Sequence, residues 1–457
     1  MIDDVSDVVM APPYFRGEWI VPTDPGYDDG RQHFNHIFDR RPAVVARCDG
    51  VQDVRAALRV AREQGWEIAV RGGGRGPGGH SAIEGGLLLD LSLMNDVYVD
   101  ADRRTARVGP GATQAEVLRE TVPYGLAPIT GLLSHIGFVG VAIYSGTGHL
   151  SPRHGYSCDW VLSAQVVLAS GEVVTVSPTS HPDLFWALRG AGDNFGVVVS
   201  IETQLHAVPA SATLATWSFP ASDVRPFLHS YRALERTVSE DVFVVAGYSV
   251  GPGREATFDV VLAHLGDDVS VARDVALVDA FGVAVDRSVA ELGWLDLHHA
   301  LDEAYPSCRQ YWAAADLKQL DDQTLELLAD EPRRLADAPA AAELFIGFYT
   351  YRGAMLRQVA SPPAAMNRRH GCELIAIAMY DDPADDAACE RWADEMVARY
   401  RAADLVHPGA MPNYTTRVDL RATWGADYDR LAELKATYDP QNVFRSNCNI
   451  PPAERRQ

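Results

Sequence analysis

Lysine is nearly absent: Lys318 and Lys435 are the only two among 40 basic residues, and arginine supplies the rest. No GxxxxGK[ST] loop occurs, which excludes a P-loop nucleotidase. Schiff-base chemistry would rest on one of those two amines. Six cysteines (Cys48, Cys158, Cys308, Cys372, Cys389, Cys448) form no CxxC pair, so the pattern suits reduced thiols and neither a zinc site nor a disulfide framework. Basic runs are missing too. The 40 cationic and 62 anionic side chains leave a formal net charge of −22, the wrong sign for nucleic-acid phosphates or an anionic membrane surface. No apolar stretch reaches about 18 residues, and Met1 to Asp7 is acidic where a signal peptide is basic. These absences lead us to expect a cytoplasmic protein without metal, nucleic-acid or membrane partners.

What is present is ordinary globular composition, 47% hydrophobic and 22% charged over 457 residues. That length suits two to four domains or one enlarged fold. Residues 40–208 alternate strand and helix patterns. Asp49 with Gln52, and Thr113 with Glu116, have capping-box spacing and predict helices ending near Gly65 and near Tyr124-Gly125. Strands are expected at 66–70, 87–91 and 106–108, and a hairpin turns at Ala169-Ser170-Gly171. A helix is expected around 183–188, and Val197, Val199, Ile201, Thr203 and Leu205 share a strand face. From Pro209 onward longer strands (242–249, 257–265, 374–379) stand between Ala-, Asp- and Glu-rich helices. That order predicts an antiparallel sheet with helices on one face. The only low-complexity stretch is alanine-rich 336–342.

The densest chemical signal is Arg71-Gly72-Gly73-Gly74-Arg75-Gly76-Pro77-Gly78-Gly79-His80, directly after a predicted strand. Consecutive glycines let backbone N–H groups approach an anion such as a pyrophosphate. The spacing is not the GxGxxG of a Rossmann unit. A second glycine-spaced run, Gly131 to His149, could likewise approach a flat or charged ligand, although glycines packed between helix and sheet would look the same.

Four ordered segments carry a resemblance. They are the loop at 71–80, the run Ser134 to Gly148, the phrase His181 to Gly190 leading to Asn194-Phe195-Gly196-Val197-Val198, and the tail Asp439 to Pro452. Together they resemble the berberine-bridge-enzyme-like FAD-linked oxidases, whose flavin domain is also found in p-cresol methylhydroxylase and vanillyl-alcohol oxidase. The likeness covers 35–208 and 413–452. It implies an α+β fold with a two-part FAD-binding domain, residues 1–208 (core about 38–208), to which the segment 411–457 returns. A substrate domain, 209–410, would cover the flavin ring. The resemblance implies cofactor contacts from Arg71, Gly72, Gly73, Gly74, Arg75, Gly76 and His80. It adds Ser134, Gly137, Gly140, Gly146 and His149 from the second run, then Val198, Asn447 and Asn449.

Three departures shape the expected chemistry. Many relatives bond the flavin through a histidine after RGGG, where a gapless alignment puts Arg75. Arginine cannot form that bond, so noncovalent FAD is expected, with attachment at His80 in Gly78-Gly79-His80-Ser81 as the alternative. Tyr144-Ser145-Gly146 replaces a three-glycine stretch, and Met411-Pro412-Asn413-Tyr414 replaces Tyr-x-Asn-Tyr. Tyr414 is the first candidate for the catalytic base and Tyr144 the second; either phenol needs its anion stabilised. The resemblance implies an oxidoreductase that moves hydride from a natural-product intermediate to FAD, with molecular oxygen as electron acceptor, working as a monomer or homodimer. A non-redox cyclase or isomerase on the same fold is the competing expectation.

Overall fold

A computed structural model describes residues 9–454 except 337–338, 340–341, 360–361, 365–367 and 418. The acidic stretch Met1 to Asp7 and most of alanine-rich 336–342 lie outside the described residues.

The N-terminal half builds two sheets. The first has four strands in the order Glu18–Ile20, Val44–Arg47, Leu87–Asp90, Ile68–Arg71; the last three run parallel. Helix Val51–Gln64 makes the crossover between two of them and ends at Gly65, in the left-handed conformation (φ +66°). Its start differs from the expected capping box: Gly50 is the N-cap and no side chain caps it. Asp53 instead takes the amides of Arg16 and Gly17, each at 2.9 Å, and of Asp49 at 3.0 Å, tying the helix to the N-terminal strand. The box at Thr113 and Glu116 forms as expected. The second sheet is antiparallel, in the order Val97–Asp100, Thr105–Val108, Val197–Gln204, Val161–Val167, Val173–Val176, and includes the anticipated hairpin.

The central region forms one seven-stranded antiparallel sheet. Its order is Asp286–Gly293, Ser211–Pro220, Thr257–His264, Val242–Val250, Glu343–Thr350, Cys372–Tyr380, Arg309–Leu317. Four of these strands, at 211–220, 286–293, 309–317 and 343–350, were not anticipated from sequence. Helices Arg225–Glu235, Asp268–Asp279, Asp322–Ala336 and Asp386–Ala402 bury the largest core cluster against one face. The other face meets the N-terminal half: Phe243, Tyr349 and Tyr351 pack with Tyr156 and Cys158, and Ala212 and Ala263 with Leu118 and Ile129.

The C-terminal segment returns to the N-terminal half. Helix Tyr428–Tyr438 and the residues after it put Leu431, Cys448 and Ile450 into the core of Leu184, Phe195 and Val198. One of the two lysines fastens this return. Lys435 and Asp439 are fully enclosed and pair at 2.8 Å; Lys435 also donates to the Asn194 and Phe444 carbonyls, and Asp439 accepts the Val443 and Phe444 amides. The other lysine, Lys318, pairs with Asp404 at 2.8 Å near the surface. Neither amine is free for covalent catalysis. All six cysteines are buried free thiols.

Candidate functional site

Strand Ile68–Arg71 ends on an anchored guanidinium. Arg71 donates to Asp90 at 2.8 Å and to the Gln32 carbonyl at 3.2 Å, so its charge is committed inside the protein. The loop beyond it meets the second glycine run directly. A Cβ at Gly73 would lie 2.3 Å from the Gly137 nitrogen, and one at Gly137 would lie 2.6 Å from the Gly73 nitrogen. A Cβ at Gly72 would stand 2.5 Å from the Pro110 carbonyl oxygen. These glycines are therefore required by backbone packing, not only by a ligand as the sequence suggested. Gly76 and Gly140 differ: a Cβ at either meets nothing within 4 Å.

Helix Phe138–Ile143 turns Phe138, Val139, Ala142 and Ile143 into the core and leaves Gly140 exposed and Tyr144 half-buried. Beyond it, Gly146 and Gly148 are again packing glycines, each with a would-be Cβ about 2 Å from Val141 or Thr130 atoms.

The tail closes the site from the other side. Ser446 bridges Ala69 and its hydroxyl donates to the His80 carbonyl at 3.1 Å; the His80 Nε2 lies 3.4 Å from the Cys448 Sγ. Burial pushes that imidazole below its ordinary value, with Asp193 opposing. Asn194 positions the tail by accepting the Ile450 amide at 2.8 Å and donating to the Cys448 carbonyl at 3.1 Å. The Oδ1 atoms of Asn447 and Asn449 are buried without a hydrogen-bond partner. An unpaired buried acceptor is costly, so both atoms suit a bound group that presents N–H or O–H. The two orphaned acceptors and the room at the open glycines fit FAD: Gly76, Gly140, Asn447 and Asn449 would hold it.

Other expected contacts lie differently. Ser134 is committed to the central region, donating its amide to Asp302 at 2.9 Å and its hydroxyl to the same carboxylate. His135 and His299 also stand 3.1 and 3.0 Å from Asp302. Burial alone would push Asp302 up, yet the Ser134 bonds hold its carboxyl below the usual range. Arg75 lies over the Phe34 ring, 5.4 Å from its centroid, with Asp302 the carboxylate that supports its charge. His149 is buried among Phe243 and His298 with both ring nitrogens unpartnered, and burial keeps it neutral. Val198 is core.

The two candidate phenols separate clearly. Tyr144 donates to Asp193 at 2.6 Å, and burial together with that carboxylate pushes its phenol well above 10.0. A phenol already donating to an anion is a poor proton acceptor. Tyr414, half-buried, meets Thr147 Oγ1 at 3.0 Å, and the Tyr349 hydroxyl meets the same atom at 3.0 Å. Thr147 thus joins a phenol from the C-terminal segment to one from the sheet. Burial raises Tyr414 as well, with the Thr147 bond opposing. Behind these phenols, Tyr349, Glu373 and Asp316 are cross-strand neighbours on three adjacent strands. Tyr351 donates to Glu373, and Arg369 pairs with Asp316 at 2.9 Å. Burial pushes both carboxyls up. A cleft beside them is lined by Tyr144, Asp316, Tyr351, Met411, Pro412 and Trp424.

Sequence reasoning missed Thr147, Asp193, Asp302, Tyr349 and Glu373. Thr147 stood inside the Ser134 to Gly148 run and Asp193 just before Asn194; the other three have no local signal.

A family model described as "FAD binding domain" matches residues 42–177, and one described as "Berberine and berberine like" matches residues 415–451. The chain is 29% identical to (R)-6-hydroxynicotine oxidase of Paenarthrobacter nicotinovorans, over 98% of this chain and 99% of that one. It is 26% identical to chitooligosaccharide oxidase of Gibberella zeae, over 94% and 92%. Among solved structures, 6-hydroxy-D-nicotine oxidase from Arthrobacter nicotinovorans superposes with a TM-score of 0.87 at 29% identity, covering 97% of this chain and 100% of that one. The Physcomitrella patens BBE-like 1 protein shares the fold, with a TM-score of 0.84 at 20% identity over 97% and 98%.

The glycines now separate into two classes with opposite expected outcomes. Gly140→Val should leave the thermal midpoint of the apoprotein unchanged and weaken FAD binding at least about tenfold, because its side chain enters open space and not protein. Gly73→Val should destabilise the fold itself, since the Gly137 backbone cannot yield. Calorimetry and FAD titration of both variants read the difference. Full FAD affinity in Gly140→Val would remove that residue from the site.

Proposed function

We propose that this chain is a berberine-bridge-enzyme-like FAD-linked oxidoreductase, an oxidase taking hydride from a carbon of a small natural-product intermediate and passing the electrons to molecular oxygen. The observation that carries this reading is the Tyr414–Thr147–Tyr349 arrangement, with both contacts at 3.0 Å, where the glycine run meets the sheet. FAD, when bound, supplies the hydride acceptor; the protein supplies distance and a base. Tyr414 Oη takes the proton from the substrate hydroxyl or amine. Thr147 Oγ1 donates to that oxygen and stabilises its anion. Tyr349 holds Thr147 in place, and Tyr144 is a structural donor to Asp193 and not a second base.

The lining supports a small ring-containing substrate. Tyr305, Trp312 and Phe345 join Tyr414 beside Ala314, Ile375 and Ile377 on the sheet face that meets the N-terminal half. Aromatic and aliphatic walls reward a flat apolar body by burial. We further propose that FAD is held without a covalent bond. Arg75 has no nucleophile to offer, and the His80 imidazole is engaged with Cys448. Acid precipitation should therefore release the flavin and leave a colourless pellet; yellow that stays in the pellet would contradict this.

Tyr414→Phe should retain FAD yet slow anaerobic flavin reduction by at least about tenfold, the low end of what a general base contributes. The pH dependence follows from the raised phenol. Its ionised fraction is small at neutral pH and grows as pH rises toward a value above the usual 10.0. The parent's reduction rate should therefore climb steadily through the alkaline range without a plateau below that value. Stopped-flow reduction across pH reads both effects; equal rates in parent and variant would remove Tyr414 from the reaction.

A further inference from the structure

The two edges of the seven-stranded sheet are treated differently. Strand Arg309–Leu317 is covered: Leu317 bridges Val406, Thr416 donates to the Trp312 carbonyl at 2.9 Å, and Gln310 donates to Asn35 at 2.9 Å. Strand Asp286–Gly293 pairs on one side with Ser211–Pro220, and among the described residues no strand lies on its outer side. An eight-residue bare edge is a template for another strand unless something covers it.

The surface around this edge is unusually apolar. Val283 and Val285 are 88% and 65% exposed, and Val289 is exposed on the strand itself. Val269 and Leu277, on the helix Asp268–Asp279 packed beside the strand, are exposed as well. These are five of the eleven exposed large hydrophobic side chains among the described residues, so the patch is a concentration and not scatter.

The strand's own sequence states what fits it. In antiparallel pairing with a second copy about a two-fold axis through Val289, Val289 faces itself and Arg287 faces Glu291 of the second copy, twice over. Asp286 then faces Leu292 and Ser288 faces Ala290, so no like charges oppose. A two-fold interface requires this kind of self-complementarity, and opposite charges across a strand pair favour that register. Arg287 already holds Asp279 at 2.6 and 2.9 Å, which fixes its guanidinium at the edge.

We propose that strand Asp286–Gly293 joins two copies of this chain edge to edge, making their seven-stranded sheets continuous. Sedimentation velocity of the FAD-loaded full chain should show a dimer. Glu291→Arg places two guanidiniums face to face at each end, and should weaken the dimer at least about tenfold. Val289→Lys puts two ammonium groups on the axis and should do the same. Arg287→Glu alone should also be weakened. An equal mixture of Glu291→Arg and Arg287→Glu chains should recover dimer, because every facing pair is again opposite in charge. Flavin absorbance and thermal midpoint verify that each variant is folded. A monomeric parent, a dimer indifferent to Glu291→Arg and Val289→Lys, or a mixture that stays monomeric would each overturn the proposal.

Discussion

Two backbone segments approach more closely than any side chain permits, Gly73 against Gly137. That contact fixes where helix Phe138–Ile143 begins and therefore where Tyr144 to His149 run. Through Thr147 it also fixes the height of Tyr414 and Tyr349, which belong to segments hundreds of residues away. A glycine here serves two ends. It removes the Cβ that would hold the segments apart, and its neighbours Gly76 and Gly140 leave room beside the contact for a cofactor.

Around that contact the protein commits its charges inward. Arg71 is spent on Asp90, Lys435 on Asp439, and Ser134, His135 and His299 converge on Asp302. Removing one partner of a buried pair such as Lys435–Asp439 leaves an uncompensated charge and costs about 3–5 kcal/mol, so these pairs hold the site's walls in register. What remains uncommitted is mostly neutral: phenols raised by burial, the Asn447 and Asn449 carbonyls, and a neutral His149. A bound flavin would therefore meet mostly orphaned acceptors and hydroxyls, with Arg75 the cation of the glycine loop.

The resemblance and the order of its motifs were legible in the sequence because they rest on local signals. Glycine runs, the Thr113 capping box and the Asp439 to Pro452 tail each declare themselves within a few residues. The box at Asp49 and Gln52 failed for a physical reason: Asp53 found better donors in Arg16 and Gly17, which no local window contains. Four of the seven central strands escaped notice: Glu343–Thr350 and Arg309–Leu317 are largely buried and lack clean alternation, whereas Asp286–Gly293 is mostly exposed and polar. The functional pairing of Thr147 with Tyr414 spans 267 positions, and only the fold brings them together. Tyr144, a reasonable base by sequence, is disqualified by Asp193, which lies 49 positions away in sequence and accepts a hydrogen bond from its hydroxyl.

The central claim is that three segments distant in sequence, 72–80, 131–149 and 444–450, form one cofactor site. Hydrogen exchange of the apoprotein titrated with FAD tests it most directly. The account predicts that all three segments gain protection together and saturate at one equivalent of FAD per chain, while the outer strands of the seven-stranded sheet stay unchanged. Protection confined to one of the three segments, or appearing at different FAD concentrations in each, would contradict it.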